Sequence, residues 1–230
     1  MRRLLCLLLS TVILAPSLRA QTRVDAPTDT AVYAVTYVEV MPSSRGAGLA
    51  ALKKYRDSSR KDEGYVRFDF WEQIGRPGHF AVIERWTDQK TFDAHGMAEH
   101  TQQFLSELQP IRSSDYDQRP YKTLTVGSAP AAASGQSIHV VAHVDFAGPQ
   151  TDTPGTLRRF ADASRKDEGS LRFDVLQGAT RMNHFTVVES WQSQKAHDAH
   201  AAAAHTRQYR DGLHSITGSP LDERVYKGVE

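Results

Sequence analysis

Ser59-Arg60-Lys61-Asp62-Glu63-Gly64 returns without change as Ser164-Arg165-Lys166-Asp167-Glu168-Gly169. Six residues carrying four charges ordinarily face water and tolerate substitution, so their repetition asks for a reason. Shifting the chain by 105 residues aligns the two stretches, and the register then holds without a gap well beyond them. Arg67-Phe68-Asp69 meets Arg172-Phe173-Asp174, Glu84 and Trp86 meet Glu189 and Trp191, and His95 and His100 meet His200 and His205. From Ser59 to Phe104, 24 of 46 positions are identical. The chain is one unit written twice.

Each unit has the same plan. The β-branched runs Tyr33–Val40 and Ile138–Phe146 suit a first strand. Leu49, Leu52 and Tyr55 recur at helical spacing, and Gly64 supplies the left-handed residue that closes such a helix. Val66–Phe70 and Phe80–Trp86 alternate with period two around a Gly75-Arg76-Pro77-Gly78 turn. A helix is expected from about Gln89 to Leu108 and a last strand near Tyr121–Val126. The order β-α-β-β-α-β is the ferredoxin-like plan of an α+β fold, one sheet covered by helices on one face. The uncovered faces of two such sheets would close a barrel-like core. Phe80, Val82, Glu84 and Trp86 form a strand face kept identical in the second copy, whereas Ala81, Ile83 and Arg85 become Thr186, Val188 and Ser190. The expected organisation is a signal peptide at 1–20, units at 21–126 and 137–230, and a small-residue linker at 127–136.

The first twenty residues have the charged start, short apolar middle and small-residue end of a secretory signal. A secreted or periplasmic protein is expected, with no membrane contact after cleavage. Without Arg2, Arg3 and Arg19, 25 basic residues face 27 acidic ones, which offers no basic footprint for nucleic acid. The one cysteine, Cys6, lies in the signal, so disulfides and thiol nucleophiles are excluded from the mature chain.

The run Glu168–Leu176, followed by His184–Trp191 and Asp198–His205, resembles the antibiotic biosynthesis monooxygenase family, which includes quinol monooxygenases. The first copy matches through Glu63, Gly64, Phe68, Phe80, Glu84, Trp86, His95 and His100; Asp62 and Asp167 stand where the family has proline. The resemblance implies tandem ferredoxin-like domains forming an intramolecular dimeric α+β barrel, an internal pseudo-dimer free to pair again with a second copy. It also implies a small aromatic or quinol substrate, molecular oxygen as the second reactant, and no cofactor. Alternatives are a non-catalytic binding module for an aromatic ligand or haem, and a purely structural pseudo-dimer.

Oxygenation without a cofactor needs a base to make an electron-rich substrate anion. Histidine suits that role, and His95 and His200 are the first candidates. Glu84 and Glu189 alternate with apolar residues and must find a partner. Either they pair with Arg67 and Arg172 or with a helix residue across the seam, or they serve to orient His95. Trp86, Trp191, Phe68, Phe173, His100 and His205 are candidate substrate contacts, with core packing the alternative for the tryptophans. No metal is expected: on one regular helix His95 and His100 sit about 140° apart, and His139 with His143, or His197 with His200, lack supporting ligands. No phosphate-binding glycine loop follows a strand.

Overall fold

The computed structural model describes residues 29–128, 135–147, 152–213 and 216–229; the signal segment and the centre of the linker lie outside them. In the first half, β1 (Val32–Glu39), α1 (Arg45–Ser59), β2 (Tyr65–Gln73), β3 (His79–Trp86), α2 (Gln89–Met97), α3 (Glu99–Leu108) and β4 (Asp117–Thr125) follow in order. The second half repeats them as β5 (Ile138–Asp145), α4 (Thr153–Ser164), β6 (Ser170–Gly178), β7 (His184–Trp191), α5 (Gln194–Ala201), α6 (Ala204–Leu213) and β8 (Asp222–Gly228).

The eight strands close into one antiparallel barrel in the order β1-β3-β2-β8-β5-β7-β6-β4, with β4 returning to β1. The last strand of each half pairs with the first strand of its own half and with the second strand of the other. β8 thus bridges β5 and β2, and β4 bridges β1 and β6. Closure removes every sheet edge, which would otherwise template further pairing.

The alternation in β3 and β7 sorts two kinds of core. Phe80 and Val82 pack with Leu52, Tyr55, Phe104 and Leu108 under the first half's helices, and Phe185 and Val187 pack with Leu157, Phe160 and Tyr209 in the second. The face kept identical between the copies is therefore the face each half covers with its own helices. Ala81, Ile83 and Val188 turn inward to a third core shared by both halves, with Tyr33, Tyr37, Trp71, Tyr121, Leu176 and Tyr226.

In the barrel interior one pair of equivalent positions meets, and its members are complementary rather than alike. Strand pairing makes Tyr37 the counterpart of His143, and the Tyr37 hydroxyl is hydrogen-bonded to His143 Nε2 at 2.5 Å. Trp71 stacks on His139 with centroids 4.2 Å apart. The repeated Arg-Phe-Asp tripeptide lies where the halves join, with Arg172 bonded to its own Asp174 at 2.5 Å and to Asp69 of the first half at 3.3 Å.

Two expectations change. The final strand begins at Asp117, earlier than its apolar part suggests. The helix expected over 89–108 is two helices, because Ala98 adopts an extended conformation (ψ 148°).

Removing the Trp71 ring should open a cavity in the shared core. Trp71→Ala is expected to cost about 3–5 kcal/mol in guanidinium unfolding, and a loss below about 1 kcal/mol would show that this contact does not hold the halves together.

Candidate functional site

The site of the first half begins with the hexapeptide. Ser59 is buried and its hydroxyl donates to the Tyr55 carbonyl at 2.7 Å, ending α1. Gly64 then turns the chain into β2 with φ +77°, a conformation that favours glycine; a Cβ there would also lie 2.4 Å from Thr91 on α2. Between these fixed points Asp62 is aimed at the helix break. His95 Nδ1 donates to Asp62 Oδ2 at 2.7 Å, and His100 Nε2 lies 3.1 Å from the same oxygen. The break at Ala98 brings the two imidazoles together, so the 140° separation of a continuous helix does not apply. It is fastened by the Thr101 hydroxyl, which donates to the His95 carbonyl at 2.7 Å.

On its far side His95 Nε2 is hydrogen-bonded to the Tyr55 hydroxyl at 2.6 Å and lies 3.2 Å from Glu84 Oε1. Glu84 therefore does not pair with Arg67. Arg67 sits opposite Arg85 in the β2–β3 register, on the barrel face, while Glu84 sits opposite Phe68 on the helix face; Arg67 pairs with Asp69. Nor does Arg172 pair with Glu189; it faces the two aspartates already described. The Trp86 ring stacks on His95 at 4.2 Å, and Phe68 meets Tyr55 edge-on at 5.3 Å.

The tyrosines continue inward. Tyr55 stacks on Phe104 at 4.2 Å, and its hydroxyl and that of Tyr116 lie near enough to influence each other's ionisation. Gln118 Nε2 reaches both the Tyr116 hydroxyl and Glu84 Oε2 at 3.4 Å. Tyr116 in turn lines a cavity of about 460 Å³ with Val38, Leu105, Leu108 and Arg112. Buried polar side chains, Tyr116, Gln118, Glu84, Tyr55 and His95, thus lie between a ring-sized cavity and Asp62. Trp86, Phe68 and His95 stand behind this cavity rather than in its wall.

The second half keeps one end of this arrangement and loses the other. His200 Nδ1 donates to Asp167 Oδ2 at 2.7 Å, and His205 Nε2 lies 3.1 Å from that oxygen. Trp191 stacks on His200 at 4.4 Å. Phe160 takes the place of Tyr55 and Leu221 that of Tyr116, so the hydroxyls are gone. Glu189 accepts from Trp191 Nε1 at 2.8 Å and stands 4.0 Å from His200 Nε2. Phe173 meets Phe160 edge-on at 5.2 Å within the core. The other histidines stay apart from this cluster: His139 is bonded to Ser190 and His143 to Tyr37 and Thr186, while His197 lies beside Gln194.

The ionisation of the halves diverges accordingly. Burial works to lower the His95 pKa, but the hydrogen bonds and charges of Glu84 and Asp62 outweigh it and hold the group above the usual histidine value. Burial prevails at His200, which lies below that value despite Asp167, and it pushes Glu189 up to about 8. Asp62, Tyr55 and Tyr116 were not among the candidates drawn from sequence. The signal for Asp62 was the repeated hexapeptide itself; Tyr55 registered only as a helix spacing, and Tyr116 carried no signal.

The profile of the antibiotic biosynthesis monooxygenase family matches residues 31–107 and 138–212. YcnE of Bacillus subtilis (strain 168), named as a monooxygenase, is 27% identical over 81 residues, 35% of this chain and 85% of that protein. Solved structures named as monooxygenases from Fusobacterium nucleatum and Lactobacillus acidophilus superpose with TM-scores of 0.77 and 0.69, each at 13% identity. They cover 87% and 86% of this chain, and 93% of each of theirs. An anthrone oxidase-like protein superposes with a TM-score of 0.63 at 14% identity, covering 88% of this chain and 92% of its own.

A raised folded pKa at His95 contributes stability that is present below the unfolded value of about 6.5 and is lost as pH rises through the folded value. A lowered folded pKa at His200 has the opposite sign: its contribution is present above about 6.5 and is lost as pH falls through the folded value. Asp62→Asn should lower the His95 pKa in an NMR titration and reduce the stability lost on the alkaline side. An unchanged titration would show that Asp62 does not hold the proton on this ring.

Proposed function

Because the chain belongs to the antibiotic biosynthesis monooxygenase family, we propose that it is an exported, cofactor-independent monooxygenase-like protein that oxidises a small phenolic or quinol-type aromatic with molecular oxygen. The observation that carries this reading is the succession of buried polar side chains between the cavity and Asp62: Tyr116 in the cavity wall, Gln118 bonded to it and to Glu84, and Tyr55 bonded to His95. A ring bound in the cavity would pass its phenolic proton to Tyr116, Tyr116 to Tyr55, and Tyr55 to the lone pair of His95 Nε2. Asp62 holds the proton on Nδ1 and so fixes the tautomer that leaves Nε2 as the acceptor. The resulting anion then reduces dioxygen beside the apolar side chains of Val38, Leu105 and Leu108.

The redox balance closes without a further reductant. A phenol with an open para position and dioxygen give a para-quinone and water, all four electrons coming from the ring. The anthrone oxidase-like neighbour is in keeping with an aromatic substrate. The first half carries the route and the second half supports it, since Phe160 and Leu221 interrupt the same path.

Oxygen uptake with a panel of phenols and hydroquinones tests the proposal. Tyr55→Phe and His95→Ala should each lower the rate by about 10² or more, while His200→Ala leaves it little changed, and the wild-type rate should rise with pH through the raised His95 pKa. No uptake with any substrate, or a Tyr55→Phe variant as fast as wild type, would sink the mechanism; ligand binding without uptake would favour the binding-module reading. Export predicts a mature protein beginning at Gln21, read by N-terminal sequencing, and an uncleaved chain retained in the cell would contradict it.

A further inference from the structure

The second half retains Asp167, His200 and His205 although Phe160 and Leu221 have removed the route they would serve. We propose that Asp167, His200 and His205 form a binding site for a divalent first-row transition ion of the zinc class. The site does not depend on the function proposed for the first half.

The donor set is two imidazoles and one carboxylate, which suits such ions and leaves coordination positions free for water or a ligand. One donor atom from each residue lies within 4.8 Å of the others. Asp167 Oδ2 is 2.7 Å from His200 Nδ1 and 3.1 Å from His205 Nε2. Ligand atoms about 2.1 Å from one ion stand about 3.0–3.4 Å apart in octahedral or tetrahedral geometry, so small outward shifts would seat it. His205 Nε2 is buried and makes no hydrogen bond, although it points at the carboxylate.

The scaffold is rigid where the ligands need it. His200 is clamped against the Trp191 ring, Ser164 is tied to the Phe160 carbonyl at 2.8 Å, and Gly169 turns the loop at φ +79°. Access comes from a cavity of about 490 Å³ between α4 and α6, with His205, Phe160 and Tyr209 in its wall. In the first half the triad has the same spacing, and the difference lies on the far side of the histidine: Nε2 of His95 meets Tyr55 at 2.6 Å and Glu84 at 3.2 Å, which clamps that ring between two carboxylates, whereas Glu189 stands 4.0 Å from Nε2 of His200.

The test uses the full mature chain freed of metal, then dialysed against Zn²⁺, with Co²⁺ as a spectroscopic probe. The expected result is one Zn²⁺ per chain and visible Co²⁺ bands. Both should be lost in His205→Gln and Asp167→Asn, with affinity falling by more than the roughly 10–100-fold typical of changes outside the ligand shell. His100→Gln should leave binding unchanged. Circular dichroism of each variant checks folding, and Zn²⁺ should raise the melting temperature of wild type but not of His205→Gln. No binding, or binding that His205→Gln leaves intact, overturns the site; a second ion lost with His100→Gln overturns its restriction to the second half.

Discussion

Each half builds a sheet with two apolar faces and only enough helix to cover one of them. The uncovered face must be buried against something of the same shape, and the other half is that surface. From this constraint follow the closed barrel, the bridging strands β4 and β8, and the three separate cores. It also explains the uneven divergence of the copies. Under its own helices each sheet meets the same helical scaffold in both halves, and Phe80, Val82, Glu84 and Trp86 recur as Phe185, Val187, Glu189 and Trp191. Inside the barrel the halves face each other with unlike side chains: Tyr37 is bonded to its counterpart His143, and Trp71, whose own counterpart is Leu176, stacks on His139.

Most of the architecture was legible because strands announce themselves by alternation and the repeat confirmed each reading twice. The helix break was not. Nothing between His95 and His100 except Gly96 argues against a helix, and in the second half the equivalent segment is a run of alanines, the best of helix formers. The break is held by a side chain on the following turn, Thr101 on the His95 carbonyl, and by one distant in sequence, Asp62 between the two imidazoles. The partner of Glu84 was hidden for a similar reason. Alternation places Glu84 on the apolar face, yet only the strand register shows that Arg67 lies on the other side.

The hexapeptide carries more than the solvated end of a helix. Ser59 stops the helix, Asp62 receives the histidines, and Gly64 makes room for α2. Arg60, Lys61 and Glu63 remain exposed, but in the second copy Arg165 donates to the Phe173 carbonyl at 2.9 Å and to the Thr125 hydroxyl on β4 at 3.1 Å, tying that hexapeptide to the other half. Asp62, which in the sequence is one charge among four in a stretch that ordinarily faces water, is the anchor of the site.

The two halves are joined by the short stretch between β4 and β5, and this changes the kind of equilibrium that governs the barrel. Two separate subunits would associate by collision and part on dilution. Here closure is intramolecular, and a connection this short sets an effective concentration on the order of millimolar, whatever the amount of protein present. A molecule released from the cell into a large volume would keep its barrel closed, and each half could accumulate its own substitutions without ever meeting a partner that carried the same ones.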